Sequence, residues 1–132
     1  MLGPVMRWML LATGPMNLMG ALLFAPPMGA LRQRLGLPEA DPFYLWIVSS
    51  WVFAFGVAYF VMGWTDRPSR ALLAVGAWCK ATFALLMLSL ALGGRVSAVA
   101  AAGALPDMAM AIAFAWWLAQ SPGTAPATGA RG

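Results

Sequence analysis

The chain has 132 residues, of which 62% are hydrophobic and 9% are charged, whereas a typical soluble domain is about 45–50% apolar and about 25% charged. This composition excludes a mainly disordered chain and argues against a soluble monomer. The net charge is +4, but there is no His and a single Cys, which excludes His-ligated haem, His-based acid–base catalysis and an internal disulfide.

Four apolar blocks dominate the sequence. A bilayer core about 30 Å thick requires about 20 apolar residues in a helix. Residues 8–25, 43–64, 71–92 and 97–119 each meet this requirement. The sequence therefore predicts an all-α integral membrane protein whose single domain, residues 1–120, is a bundle of four transmembrane helices. The basic residues stand singly beside these blocks, as membrane anchors do, and predict a lipid bilayer rather than nucleic acid as the partner.

The first block is followed by the one long connection that we predict, from Pro26 to Pro42. Residues 28–37 within it are expected to form either a short interfacial helix, with Arg32 and Arg34 available to lipid headgroups, or an irregular loop. The first block could also be a cleaved signal peptide, but Gly14-Pro15 interrupts it and it is long for such a segment.

Polar and glycine residues mark the boundaries of the later blocks. Asp41-Pro42, Ser69 and Ser97 are suited to begin the second, third and fourth helices. Gly93-Gly94 is suited to end the third helix in a left-handed turn. Residues 121–132 are rich in Pro, Gly, Ala and Thr and predict a disordered tail.

The tryptophans fall into two groups according to their distance from the ends of the predicted helices. Most of the Trp residues lie near predicted helix ends, where amphipathic rings favour the headgroup layer. Trp51 and Trp78 lie deeper in their blocks, and we expect them to pack inside the protein.

Two ionisable residues, Lys80 and Asp107, lie deep in the third and fourth blocks, where each costs ~2.5–3.5 kcal/mol at a helix centre. Lys80 is 14 residues before Gly94 and Asp107 is 13 after it, which places both ~20 Å from the turn in an antiparallel hairpin. Small residues share the face of each. We therefore predict that the two form a buried pair, which either fixes the register of the hairpin or has a functional role.

Asn17 in the first block and Tyr59 in the second are predicted as possible polar partners of this pair. Asn17 lies at mid-depth and either reaches Lys80 or Asp107 or bonds to a neighbouring helix. Tyr59 is expected to hydrogen-bond to another helix. Pro106 is expected to kink the fourth helix. The sequence predicts neither a metal nor a cofactor site.

The four-span pattern and the short charged turn Thr65-Asp66-Arg67-Pro68-Ser69-Arg70 resemble small four-helix bacterial inner-membrane proteins, including DoxX-like proteins. The resemblance implies a multi-pass protein of the bacterial inner membrane and assigns no site residue. Small multidrug exporters have a similar size but carry a membrane-embedded Glu in the first helix, where this chain has Asn17. Vitamin K epoxide reductase-like proteins need paired cysteines.

Three functions fit these observations. The favoured one is an accessory or scaffold component of a membrane complex, with a membrane-protein partner or a second copy. The alternative is a small oligomeric transporter or ion-coupled carrier that uses Lys80 and Asp107. A lipid-modifying enzyme is the third, but Glu39, Asp41 and Asp66 form no catalytic constellation in the sequence, so we expect no enzymatic activity. Four spans place both termini on one side, and the basic residues favour the cytoplasmic side by a single residue.

Overall fold

The computed structural model of the chain describes residues 1–120, so the disordered tail predicted at 121–132 lies outside the described residues. Every regular element in the described part is a helix. The elements are α1 (Pro4–Phe24), a 3-10 turn (Pro26–Met28), α2 (Gly29–Arg34), α3 (Pro42–Thr65), α4 (Arg70–Leu92), α5 (Ala98–Ala102) and α6 (Leu105–Gln120).

Three helical stretches are long and apolar enough to cross a membrane, namely α3, α4 and the stretch Ala98–Gln120 that α5 and α6 form together. A fourth is obtained if α1 and the segment Pro26–Arg34, which is bent from it by 76°, count as one span. The all-helical and strongly apolar architecture that the sequence predicts is confirmed. The second, third and fourth predicted blocks coincide with the three qualifying stretches, because apolar length sets the helices and the flanking polar residues end them. The first block coincides with α1, which counts as a span only together with the bent segment.

The predicted helix starts carry their expected caps. A backbone N–H of the first turn donates to Asp41 in α3 at 2.8 Å, to Ser69 in α4 at 3.3 Å and to Ser97 in α5 at 3.1 Å. Each oxygen thereby satisfies an N–H that has no partner within its helix. After α4, Gly94 has a φ of 69°, a left-handed conformation that glycine adopts without steric cost.

The helices associate principally as two pairs, α1 with α3 and α4 with α6. Glycines permit the close contact within the first pair, as small residues do in membrane bundles. A Cβ atom on Gly56 of α3 would lie 2.8 Å from Asn17 Cβ and 3.1 Å from the Gly14 carbonyl oxygen of α1. The backbones of α1 and α3 therefore touch where Gly14 and Gly56 face each other.

The bend after α1 is held by Arg32, whose side chain is buried at 7% exposure. Its guanidinium donates to the carbonyl oxygens of Leu23 at 2.9 Å and Ala25 at 2.6 Å. Of the two alternatives for this connection, the structure has the short helix, α2, but the expectation that Arg32 is available to lipid headgroups is wrong. The last carbonyl oxygens of α1 have no N–H partner within the helix, so the Arg32 guanidinium supplies the missing donors. Its positive charge also interacts favourably with the C-terminal end of the helix dipole.

The stretch Ala98–Gln120 is interrupted between α5 and α6, at Gly103 and Ala104. The break lies just before Pro106, which has no N–H to give to the Ala102 carbonyl and whose ring clashes with that carbonyl in a continuous helix. The predicted kink is therefore a short break, and Asp107 falls in the first turn of α6.

The two tryptophans that lie far from the ends of their predicted spans do not contribute to the interior. Trp51 and Trp78 are 68% and 74% exposed, so the expectation that they pack inside is wrong. Depth along a helix does not decide which face a residue occupies, and both residues lie on faces that the neighbouring helices leave uncovered. Large buried residues of the described bundle are Leu10, Tyr59, Leu73 and Phe114.

We expect Gly56→Ala to lower the free energy of unfolding by about 1–3 kcal/mol, because its methyl group forces α1 and α3 apart. Gly20→Ala in α1 is the matched control, since its Cβ would meet Val52 Cγ1 at an ordinary 3.6 Å. Unfolding of the purified chain in mixed detergent micelles, followed by circular dichroism, measures both. Equal stabilities of the two variants would contradict the close contact.

Candidate functional site

Lys80 of α4 and Asp107 of α6 form a buried ion pair, as the sequence predicts. The Lys80 ammonium donates to Asp107 Oδ1, and the two side chains are 8% and 21% exposed. Their equal distance from the α4–α5 turn brings them to one depth, and their small neighbours on each helix allow the close approach. Burying either charge alone in apolar surroundings would cost free energy, and the attraction between the two charges offsets this cost.

Asn17 of α1 connects this pair to the other two helices. Its side-chain oxygen accepts from Lys80 Nζ at 3.0 Å, and its side-chain nitrogen donates to the Val52 carbonyl of α3 at 3.2 Å. An ammonium can only donate and a carbonyl can only accept, so the position requires a side chain with one donor end and one acceptor end. Asparagine fits this requirement, and groups from four helices thereby form one polar network.

Tyr59 of α3 contributes its ring to the surroundings of the ammonium. Its hydroxyl makes no hydrogen bond within residues 1–120, so the expectation that it bonds to another helix is wrong. The centroid of the ring lies 5.8 Å from Lys80 Nζ, within the range of a cation–π interaction. The same ring packs against Phe114 of α6 at a centroid distance of 5.3 Å. A Cβ on Gly76 of α4 would overlap the Tyr59 hydroxyl, so this glycine makes room for the tyrosine.

The break before α6 contributes to the stability of the Asp107 carboxylate. Asp107 lies in the first turn of α6, where the helix dipole and the free N–H groups favour a negative charge. A continuous helix through Pro106 would place the carboxylate in mid-helix without this contribution. The proline is therefore part of the site, because it starts a new helix beside the acid.

Two buried hydroxyls that the sequence did not single out also join helices. Thr13 of α1, fully buried, donates to the Met9 carbonyl of its own helix at 2.7 Å, and its Oγ1 also lies 3.3 Å from the Met110 sulfur of α6. Ser49 of α3 donates to the Ala21 carbonyl of α1 at 2.7 Å. A serine or threonine hydroxyl can bond locally or across helices, and sequence alone does not distinguish the two.

The acids considered for an interfacial enzyme all have structural contacts. Asp41 caps α3, and Glu39 accepts from Gln33 in the first connection. Asp66 accepts from the backbone N–H of Leu2 at 2.7 Å, at the end of α3. Glu39 and Asp41 thus lie at the start of α3 and Asp66 at its other end, so the three acids are not brought together.

The arrangement can hold a charge inside the bundle and resist the separation of its two helix pairs. Within residues 1–120, no group of three or more Cys, Asp or Glu side chains is placed to hold a metal ion. Two surface grooves lie at the 3-10 turn with α2 and along Phe60–Thr65. Neither groove is lined by Lys80 or Asp107.

No significant match to the chain was found among protein-family models, curated proteins or solved structures. The likeness to DoxX-like proteins is therefore one of span pattern, and the site is interpreted from its own geometry.

We expect Asn17→Leu to lower the free energy of unfolding by about 1–2 kcal/mol, because it removes an acceptor from the Lys80 ammonium and a donor from the Val52 carbonyl. Ser50→Ala is the control, since Ser50 is exposed and bonds only to Trp46 of its own helix among the described residues. Unfolding in mixed micelles measures the difference. An Asn17→Leu protein as stable as Ser50→Ala would show that the network contributes little.

Proposed function

We propose that the chain is a small multi-pass membrane protein with four spans that serves as an accessory or scaffold component of a membrane complex. In this proposal the Lys80–Asp107 pair holds the third and fourth spans in register and, through Asn17, ties them to the first two. The partner in this proposal is another membrane protein, whereas association with further copies of the chain alone belongs to the carrier alternative.

The observation that carries the proposal is the way in which the Lys80 ammonium is enclosed. Asp107, Asn17 and the Tyr59 ring surround it, and all three belong to the helices of this chain. Such an ammonium has its acceptors inside the bundle and stabilises the fold without a ligand. A site built for substrate would need polar groups directed into a cavity.

The outer surface is suited to contact with lipids and with other membrane helices. Large apolar side chains are exposed along each of the long helices. Those on α3 include Trp46, Trp51, Phe53 and Trp64. The connections between the long helices are short, apart from the first, so little of the chain is available outside the membrane. These features suit a protein that acts through its lateral surface.

The distribution of basic residues favours one orientation. Arg7, Arg67 and Arg70 lie at the end of the bundle where α1 begins, because Arg7 donates to the Gly63 carbonyl and Arg70 to the Leu118 carbonyl. At the other end, Arg34 and Arg95 are exposed, whereas Arg32 is buried against α1. The positive-inside rule then favours a cytoplasmic N-terminus. In this proposal the membrane is the bacterial inner membrane.

If the pair is structural, Lys80→Met and Asp107→Leu should each lower the free energy of unfolding by about 3–5 kcal/mol, because each leaves an uncompensated buried charge. The double variant removes both charges and should recover most of the folded yield. Yield is measured as monodisperse protein extracted from membranes. A double variant as poorly folded as the single ones would contradict a register role.

The second candidate is a small oligomeric transporter or ion-coupled carrier that uses the same pair. One observation favours it, namely that the Asp107 side chain keeps 21% exposure beside a helix break while Lys80 is more buried. Intramembrane acids at broken helices mark ion pathways in transporters. In that case the double variant should fold but fail to restore transport, so a fully active double variant would exclude the carrier.

We expect a tagged chain, extracted from native membranes in mild detergent, to retain a larger membrane protein in reproducible stoichiometry in native mass spectrometry. This result would support the accessory role and identify the complex. A homo-oligomer without another protein would instead favour the carrier. An untagged membrane extract and a tagged single-span protein serve as controls for nonspecific capture.

A further inference from the structure

The segment after α1 leaves the direction of the first span abruptly. The segment Pro26–Arg34, which ends with α2, is bent from α1 by 76°. A helix that crosses a bilayer is tilted by about 20° on average from the normal, so α2 lies nearer to the plane of the membrane surface. Arg32 fixes this geometry through its bonds to the carbonyls at the end of α1. If α1 crosses the bilayer, this bend places the elbow at the level of the lipid headgroups.

A surface groove of about 290 Å³ runs along this elbow, lined by Pro27, Met28, Ala30, Leu31 and Arg34. Four of its five lining side chains are apolar, and the fifth carries a guanidinium. Both Met28 and Leu31 are exposed. An apolar wall with a single cation at one end matches the two parts of an amphiphile.

Arg34 is one of three exposed arginines near helix ends, with Arg67 and Arg95, whose side chains make no hydrogen bond or ion pair within residues 1–120, and it is the one of the three that lines the groove. Arg7, Arg32 and Arg70 each donate to backbone carbonyls of neighbouring segments. Arg34 is exposed and, within residues 1–120, makes no hydrogen bond or ion pair with the protein. Its guanidinium retains all its donors for an outside anion, and a guanidinium binds phosphate in a bidentate manner.

We propose that this groove binds one anionic phospholipid, with the phosphate on Arg34 and an acyl chain against Met28 and Leu31. The inference goes beyond the accessory or carrier role and requires that α1 crosses the membrane while the segment Pro26–Arg34 lies at its surface. A bound lipid at this position would cover the exposed apolar wall and anchor the elbow to the headgroup layer.

Native mass spectrometry of the full chain, titrated with phosphatidylglycerol or phosphatidylcholine in neutral detergent, tests the proposal. One phosphatidylglycerol should be retained per chain, in preference to phosphatidylcholine. Arg34→Gln should weaken this binding about fivefold, the contribution expected of one basic residue at an anionic headgroup. Arg95→Gln is the matched control, because Arg95 is exposed at the same end and does not line the groove. Equal losses in the two variants would show general charge attraction and overturn the site.

The role of the apolar wall is tested separately with Leu31→Ser. This variant should weaken phosphatidylglycerol binding while its thermal unfolding stays close to that of the parent protein, since Leu31 is exposed. Glycerol phosphate, which carries the anion without acyl chains, should not compete. Competition by glycerol phosphate, or full binding by Leu31→Ser, would reduce the site to a simple anion contact and overturn the lipid proposal.

Discussion

A lysine ammonium inside an apolar bundle has to be neutralised, and much of the structure follows from this constraint. Lys80 is placed by its sequence in the middle of an apolar helix, where no water is at hand to solvate the charge. In place of water, Asp107 and Asn17 accept hydrogen bonds from the ammonium, and the Tyr59 ring makes a cation–π contact with it. These groups come from different helices, so satisfying one cation fixes the mutual position of several elements.

The packing of the helices serves the same constraint. Gly14 and Gly56 bring α1 and α3 into backbone contact, and this contact holds Asn17 where it can meet both the Val52 carbonyl and the ammonium. In the second pair, the break before Pro106 begins a new helix beside Asp107 and places its dipole at the carboxylate. Small residues and a proline, which contribute little contact area themselves, thus determine the geometry of the polar network.

The ends of the bundle are tied by backbone carbonyls and a few charged side chains. Arg7 and Asp66 link the start of α1 to the end of α3, while Arg32 closes the opposite end of α1. Most charges of the described chain are therefore used within the protein. Arg34, Arg67 and Arg95 are exposed without such a partner in the described chain. In the proposed lipid site, the headgroup layer supplies the anion for Arg34.

The sequence by itself determined the apolar stretches, their caps at Asp41, Ser69 and Ser97, and the pairing of Lys80 with Asp107. These features depend on length, local hydrogen bonding and distance from a turn, all of which are properties of a single helix or hairpin. The span pattern also led to the membrane-protein interpretation, while the partner and the role of the pair stay predictions.

Only the tertiary structure decided which faces the helices turn towards one another. Trp51 and Trp78 are deep in sequence but exposed, Arg32 turns inward to the end of α1, and Ser49 bonds across to another helix. From the sequence, Asn17 was expected either to reach Lys80 or Asp107 or to bond to a neighbouring helix, and in the structure it does both. Such outcomes depend on the rotation of each helix about its axis, which is set by the fit of its side chains to neighbouring helices and not by its own residues alone.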